Sequence, residues 1–479
     1  MQKSKITLKS CILAIVVFYL LYVVLTAVFP AMFRKPVSDA FASSVSASNF
    51  YSDYECADRV ALIESPTEGF ESRLHLLDEA TKRIDISYYA MHMGETTDLF
   101  LGAILNAADR GVQIRILVDD QFGGLTHSHA DYATALGAHP NIELRTYNPL
   151  NPLKPWTWNG RLHDKYMIAD NRLLMLGGRN IGDKYFDPEG YEKPLSLDRD
   201  VLIYNTEWNN QSKDSVLFDV RAYMDEIWNS SAAVQSFNND SEKGIAKRES
   251  LKSNYAHFRQ EHASLFDHST DNYQAWTYPA NRVSFIHNDT HIGVKEPKVG
   301  YIIGELLNSA KTSVTLQSPY VILDSMLKEQ LTQIGNQPID AKILTNSVGS
   351  SPNPIACTAY LGDRSGILNT GISLWEYQGD HSIHAKSYVI DDRITAVGSY
   401  NLDPRSAYLD TELLLVIDST EFTDHFKQVQ DSYFQQSLKV NDRGQYEPKS
   451  NIEARPISGF QGLLIAILYL PVKLLKFLA

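Results

Sequence analysis

The sequence predicts an α/β protein that is a duplication, with two mixed, mostly parallel sheets flanked by helices and a site at their interface, behind an N-terminal transmembrane helix. Strand-like runs alternate with amphipathic helical runs along the chain, the pattern of βαβ units. The second half repeats the order of the first, and a short polar signature recurs once in each half.

The apolar N-terminus comes first. Residues 11–33, CILAIVVFYLLYVVLTAVFPAMF, carry no charge and are long enough to cross a hydrocarbon core of about 30 Å. A cleaved signal peptide carries a shorter apolar region of roughly 7–15 residues, so residues 1–35 read as a single-pass anchor. Lys3, Lys5 and Lys9 precede the run and Arg34 and Lys35 follow it. That bias keeps the N-terminus cytoplasmic and puts the globular part on the extracytoplasmic side of the cell membrane. A Ser/Ala-rich, weakly structured connector occupies 36–54.

The first repeat is placed at 55–235. RIDISYYAM (83–91), VQIRILVDD (112–120) and NIELRTYN (141–148) read as strands, with DLFLGAILNAADRG (98–111) a helix between the first two. A polar, charge-dense linker with helical character, a solvated face, takes 236–275. The second repeat, 276–445, presents strands SVTLQSPYVI (313–322), IDAKILTNS (339–347) and GISLWEYQ (371–378). Helices SVLFDVRAYMDEIW (215–228) and EFTDHFKQVQDSYF (421–434) close the two repeats. The tail, 446–479, ends in GFQGLLIAILYLPVKLLKFLA. Its break at Pro471 and its Lys473 and Lys476 fit a helix in the headgroup layer better than a second span; docking on the protein core is the plainer alternative.

Composition bounds the partners. The chain has 479 residues, 44% hydrophobic, and a net charge of −13, which repels polyanions and argues against a nucleic-acid partner. Nothing in the chain names a protein partner. Cys11, Cys56 and Cys357 build no disulfide framework; Cys56 and Cys357 read as free thiols, with pairing in an oxidising compartment as the alternative.

The repeated signature carries the chemistry. RLHDKYMIADNRLLMLGGRN (161–180) and SIHAKSYVIDDRITAVGSYN (382–401) both read His-x-Lys, then Asp, then Gly-Gly or Gly-Ser, then Asn. His163, Lys165, Asp170, Gly178 and Asn180 reappear 221 positions later as His384, Lys386, Asp391, Ser399 and Asn401. Earlier strands are offset by 230, as Ile142 and Ile372 show, because the first repeat lengthens its loop by NPLNPLKPWTWNG (148–160). On a strand, residues i and i+2 share a face, so each histidine and its lysine project together. Two ammonium groups, two imidazoles, amides of the Gly-Gly and Gly-Ser turns, and two asparagines can surround a phosphodiester whose charge rises as a fifth ligand adds. One imidazole can attack phosphorus while the other hands a proton to the departing alkoxide. Each repeat supplies half a site. No metal or cofactor is called for, because lysines and amides supply the positive field; the pair His127 and His129 lacks a third ligand, and Asp119 and Asp120, which could also be read as metal ligands, stand at the carboxyl end of a strand. Asp119 and Asp120 read instead as structural or acceptor-pocket groups.

These residues resemble the phospholipase D superfamily. Within it, GGRNIGDKYFD (177–187), LVDD (117–120), ILTNS (343–347), SPYVI (318–322) and GSYNLDPRSAYLDTE (398–412) resemble the bacterial cardiolipin synthases of the shorter, periplasmic-facing type, over roughly 55–450. The clear N-terminal span is a departure. The resemblance implies a phospholipase D-like fold in each repeat and double displacement through a phosphohistidine, the histidine of one motif attacking and that of the other acting as acid and then base; His163 is read as the nucleophile and His384 as the acid and base, with the reverse assignment as the alternative that near-symmetry leaves. His163, Lys165, Asp170, His384, Lys386 and Asp391 are counted as the catalytic set, although Asp170 and Asp391, on turns, suit a structural part better. Gly178, Asn180, Ser399 and Asn401 are counted as substrate-binding, and Asp200 and Glu412, opening the strands after each motif, as the carboxylates that orient the histidines. The implied substrates are phospholipids at a membrane: phosphatidylglycerol as acceptor, with a second phosphatidylglycerol or phosphatidylethanolamine as donor. Trp156 and Trp158, beside the first motif, suit the headgroup level. Hydrolysis by a phospholipase D, or a metal-independent nuclease activity, is the alternative.

Overall fold

A computed structural model describes residues 8–210, 214–235, 240–267 and 272–479. Lys3 and Lys5 of the charge bias, and 236–239 and 268–271 of the expected linker, lie outside them.

The strands run in chain order as β1 (Asp58–Ile63), β2 (Arg83–Tyr88), β3 (Gln113–Asp119), β4 (Ile142–Tyr147), β5 (Lys165–Ala169), β6 (Leu173–Gly177), β7 (Ser196–Leu197), β8 (Asp200–Asn205) and β9 (Ala233–Gln235). They continue as β10 (Tyr278–Pro279), β11 (Arg282–His287), β12 (Ser313–Gln317), β13 (Asp340–Asn346), β14 (Ser373–Tyr377), β15 (Ser382–Ile383), β16 (Lys386–Ile390), β17 (Ile394–Gly398), β18 (Leu413–Asp418) and β19 (Ser437–Lys439). Among the described residues the first large sheet is ordered β10-β1-β8-β6-β5-β2-β3-β4-β9 and the second β11-β18-β17-β16-β12-β13-β14-β19.

Both sheets are mixed and the duplication holds, but they are not mostly parallel. Only β2·β3, β3·β4, β12·β13 and β13·β14 run parallel within them. Those are the strands joined through helices such as Glu95–Asp109. The two motifs instead form hairpins, β5·β6 and β16·β17, and a tight turn can join only antiparallel strands. Their flanks then pair antiparallel too.

The sheets face each other through one apolar core, to which Val60, Tyr166, Ile168, Leu176 and Val201 come from the first repeat and Val389, Val397, Leu413, Leu415 and Phe426 from the second. All five strand residues of β5, β6, β16 and β17 are buried, so their near-continuous apolar runs follow from burial on both faces. The short parallel pair β7·β15 joins the repeats directly, Ser196 to Ser382 and Leu197 to Ile383.

Two expected loops are more ordered than their composition suggests. The connector holds helix Asp39–Ser44, and its Phe50 is buried in the outer core of the second repeat. The linker region contains helix Glu242–Glu261, mostly exposed, whose Leu251 and Tyr255 are buried in the outer core of the first repeat. Its polar composition hid two anchoring side chains.

Among the described residues, two helices are long and apolar enough to cross a membrane: Leu8–Ala31, with mean hydropathy 2.8, and Gly459–Leu478, with 1.7. The first stands clear of the body except at its base, where the Tyr19 and Tyr22 hydroxyls donate to the carbonyls of Pro152 and Leu153 and Asn159 donates to the Ala27 carbonyl. Pro152, Leu153 and Asn159 belong to the Trp-bearing loop, where Trp156 is exposed and Trp158 is tied to the Asn151 carbonyl. The second helix lies along helix Pro354–Leu368. Gln461 at its start reaches the Val348 carbonyl and Lys476 at its end pairs with Asp363 at 2.7 Å. Phe460, Leu463, Ile467, Leu470 and Leu474, three or four residues apart, remain exposed on it. Cys56 and Cys357 are unpaired, with free thiols.

Candidate active site

The two signatures meet at the junction of the sheets, each held by residues of the other repeat. The backbone N–H of His163 donates to the Thr411 hydroxyl at 2.9 Å, and that of His384 donates to the Leu197 carbonyl at 2.6 Å. Lys165 and Lys386 open β5 and β16, fully buried, each Nζ 2.5 Å from the carbonyl oxygen of its own histidine. Each lysine feels the other, or the carboxylates on both sides: Glu412 and Asp198 act on both ammonium groups. The site is therefore single and shared.

Each imidazole has a carboxylate from the opposite repeat. His163 Nδ1 lies 2.9 Å from Glu412 Oε1. His384 Nδ1 lies 2.5 Å from Oδ2 of Asp198, not Asp200. Asp200 pairs instead with Arg73 at 2.9 Å and Arg179 at 3.1 Å. The ladder explains the error. Gly177 stands opposite Asp200 and Gly398 opposite Leu414, so Glu412 corresponds to the residue two before Asp200. Equating DRD (198–200) with DTE (410–412) puts Asp200 there instead.

The two pairs differ electrostatically. Burial raises the Glu412 carboxyl to about 8, against the pull of Lys165, while hydroxyls of Ser399 and Ser406 donate to it. Burial, with Lys165 adding, holds the His163 imidazole well below its ordinary range. Burial would raise Asp198 as well, but Lys386 and His384 outweigh it and hold the carboxyl below the usual carboxylate range. His384 is lowered to about 4, by burial first and Lys386 second, with Asp198 opposing. Burial also lowers Lys165 to about 7 and lowers Lys386, each opposed by a carboxylate.

The remaining expected residues divide. Asp170 and Asp391 lie in the hairpin turns at φ +51° and +53°, away from the imidazoles. Asp170 accepts from the amides of Thr81, Lys82 and Arg83, and Asp391 from those of Lys311, Thr312 and Ser313. They tie each hairpin to the helix-to-strand loop beside it, so their place in the catalytic set is corrected to a structural one. The turn amides are not free for an anion either: Gly178 N–H donates to the Arg199 carbonyl and Ser399 N–H to the Leu413 carbonyl, continuing the ladders. Gly178 serves its neighbour instead, because a Cβ there would stand 2.4 Å from Asp198 Oδ1. Asn180 and Asn401 donate to the hydroxyls of Tyr185 and Tyr320 at 3.1 and 3.5 Å, and each keeps a buried side-chain oxygen with no partner among the described residues.

Three groups had no signal in the signature. Tyr89 stands edge-on to His163, ring centroids 4.8 Å apart, with Lys165 5.0 Å from its centroid. Tyr185 takes the corresponding place beside His384 at 5.9 Å. Asp119 accepts from Leu162 N–H and stands 3.4 Å from Arg161, bracing the entry to the first motif. His127 faces Asp120 at 3.6 Å.

A repeated His/Lys hairpin with both imidazoles turned into one buried, lysine-lined junction defines the class of enzymes that handle phosphodiesters. The chain belongs to the family described as cardiolipin synthase, PLD-like domain, whose model matches residues 74–214 and 303–434. Among its relatives, cardiolipin synthase C of Escherichia coli K12 is 27% identical over 397 residues, 74% of this chain and 80% of that protein. An uncharacterized protein of Helicobacter pylori 26695 is 27% identical over 409 residues, covering 77% and 78%, and a Staphylococcus aureus Mu50 cardiolipin synthase is 24% identical over 377, covering 75% and 64%. The crystal structure of phosphatidylserine synthase from Haemophilus influenzae Rd KW20 shares the fold, with a TM-score of 0.62 at 16% identity over 92% of this chain and all of that one.

Proposed function

We propose that the protein is a membrane-anchored phosphatidyltransferase that makes cardiolipin through a phosphohistidine. The observation that carries this is the inequivalence of the two imidazoles around one lysine-lined junction. Burial disfavours charge on both His163 and Glu412, and an uncharged imidazole suits a nucleophile. His384 stands against an ionised Asp198, which suits a group that must carry a proton and return it.

In the first half-reaction, His163 Nε2 forms a bond to the phosphorus of the donor lipid as the bond to its headgroup oxygen breaks. His384, protonated, gives its proton to that oxygen. The site without substrate lowers the His384 pKa, but an anionic phosphodiester entering beside it works against Lys386 and burial and favours the imidazolium. In the second half-reaction, a hydroxyl of phosphatidylglycerol attacks phosphorus, its proton passes to His384, and the phosphorus–nitrogen bond breaks, returning its electrons to His163. Lys165 and Lys386 hold the equatorial oxygens. One phosphodiester replaces another, so the exchange is close to thermoneutral. Phosphatidylglycerol and phosphatidylethanolamine are both suited as donors.

The membrane helices support a lipid substrate. The N-terminal helix spans, the C-terminal helix rests its exposed apolar face in the headgroup layer, and the charge bias of the N-terminus sets the body outside the cytoplasm. Lipid mass spectrometry of cells making the wild type, His163→Ala or His384→Ala tests the reading. Cardiolipin should rise with the wild type and stay at background with either variant; a rise with His163→Ala refutes the phosphohistidine. A rise in phosphatidic acid alone would make the protein a hydrolase.

A further inference from the structure

Transfer to a phospholipid sets a requirement that the two signatures leave unmet. An acceptor with a glycerol head carries its own phosphodiester three carbons behind the hydroxyl that His384 deprotonates. This second anion arrives on the His384 side, close to the phosphoryl group already held by Lys165 and Lys386, and like charges in a buried site repel strongly. A further cation is needed there.

Lys184 is placed to be that cation. It lies in the short helix Asp183–Phe186 directly after the first signature. Its Nζ is 5.0 Å from the centroid of the Tyr185 ring, and that ring is 5.9 Å from the His384 ring. One phenol therefore separates ammonium from imidazole. His92 stacks along the same phenol at 6.1 Å, kept neutral by burial and by Lys184, so it offers a neutral ring nitrogen. The adjacent Asp183 is committed elsewhere, accepting from the amide and hydroxyl of Thr96. Among the described residues no acidic side chain pairs with Lys184, and burial lowers its ammonium.

The other repeat supplies the control. The 221-residue offset that relates Asn180 to Asn401 relates Lys184 to Arg405. Arg405 is fully engaged: with Asp410 at 3.2 Å and with the carbonyls of Asn159 and Leu478 at 3.0 and 3.1 Å. Two equivalent basic positions thus flank the site, one neutralised within the protein and one left open. A half-buried charge without a counterion is costly, and the open one stands on the side where the proton-carrying histidine receives the acceptor.

We infer that Lys184, with His92 and Tyr185, forms the subsite for the acceptor's phosphodiester and so selects an anionic glycerophospholipid over water. This rests on the transferase reading. With the subsite filled, the acceptor oxygen bonds to phosphorus, its proton goes to His384 and the bond to His163 breaks. With it empty, water follows the same path and the product is phosphatidic acid.

The test uses full-length protein in mixed micelles of headgroup-labelled phosphatidylglycerol, reading glycerol release for the first half-reaction and the ratio of phosphatidic acid to cardiolipin for the second. Lys184→Met should raise that ratio, read per glycerol released, about tenfold or more, the weight of one charge-assisted contact, and Lys184→Arg should keep the wild-type ratio. Lys184→Gln is read in parallel so that a folding defect in one variant leaves the ratio measurable. Cardiolipin made in the wild-type proportion by both neutral variants overturns the subsite alone. A wild type that yields phosphatidic acid and no cardiolipin overturns the transferase reading, and the subsite with it.

Discussion

Two buried aspartates separated by a single residue should fail in opposite ways. Asp198 holds His384 at 2.5 Å and lies 4.0 Å from the Lys386 ammonium; Asp200 holds two guanidiniums, Arg73 and Arg179. Both carboxylates are fully buried. Asp200→Asn leaves two arginines in the interior that cannot shed their protons, and breaking a buried pair from one side costs about 3–5 kcal/mol. Asp198→Asn removes a counter-charge chiefly from Lys386, its strongest cationic partner. Burial already lowers that lysine, so it can release its proton and limit the damage to less than the loss at Asp200. The catalytic effects reverse. An amide in place of Asp198 no longer stabilises a charged His384, and loss of general acid–base catalysis lowers turnover about 10²–10⁴-fold. Asp200→Asn should keep near-wild-type turnover per folded molecule. Denaturant unfolding of the solubilised protein, alongside mass-spectrometric counting of cardiolipin made per minute, measures both quantities. If Asp200→Asn unfolds at the wild-type midpoint and loses as much turnover as Asp198→Asn, the assignment of the two carboxylates is wrong.

Further outcomes follow from the same geometry. Burial keeps Glu412 protonated to about 8 in the folded protein against 4.5 ordinarily, so the native state binds more protons than the unfolded chain between those values. Its contribution to stability therefore falls as pH rises across that window, and pH-dependent unfolding of Glu412→Gln should show a shallower fall than the wild type. Asp391→Ala strips the amides of Lys311, Thr312 and Ser313 of their acceptor and should cost about 1–3 kcal/mol in unfolding experiments, with specific activity kept. Lysine at Leu463 and Ile467, both exposed on the C-terminal helix, should depress turnover on bilayer vesicles and spare it on short-chain monomeric substrates; equal losses on both would refute a membrane-resting face.

The motif hairpins and their histidines were legible because they obey local rules: short apolar runs, a tight turn and an exact 221-residue repeat. Glu412 was legible for the same reason, standing one residue before β18. Asp198 was not, because the longer path from Asn180 to β8 removes the constant offset, and only the ladder pairing of Gly177 with Asp200 restores the register. The mostly parallel sheet failed on the same scale: helix-linked strands dominate the reading of the sequence, whereas hairpins and long returns decide which edges they meet. Gly178 and Ser399 looked like anion-binding amides until the strands beside them took those amides. The free state of Lys184 and the engaged state of Arg405 are tertiary facts, since Asp410, Asn159 and Leu478 come from three separate segments.

Thr411 and Leu197, by clasping the backbone of the opposite histidine, bring a carboxylate across with each clasp. Neither repeat cut from its twin would retain a properly oriented imidazole, and a symmetric pair of identical repeats would have to give both imidazoles the same carboxylate. Joining them in one polypeptide lifted that constraint. One lobe could then keep an aspartate and the other a glutamate, so that the two imidazoles of a single site stand in unlike electrostatic surroundings.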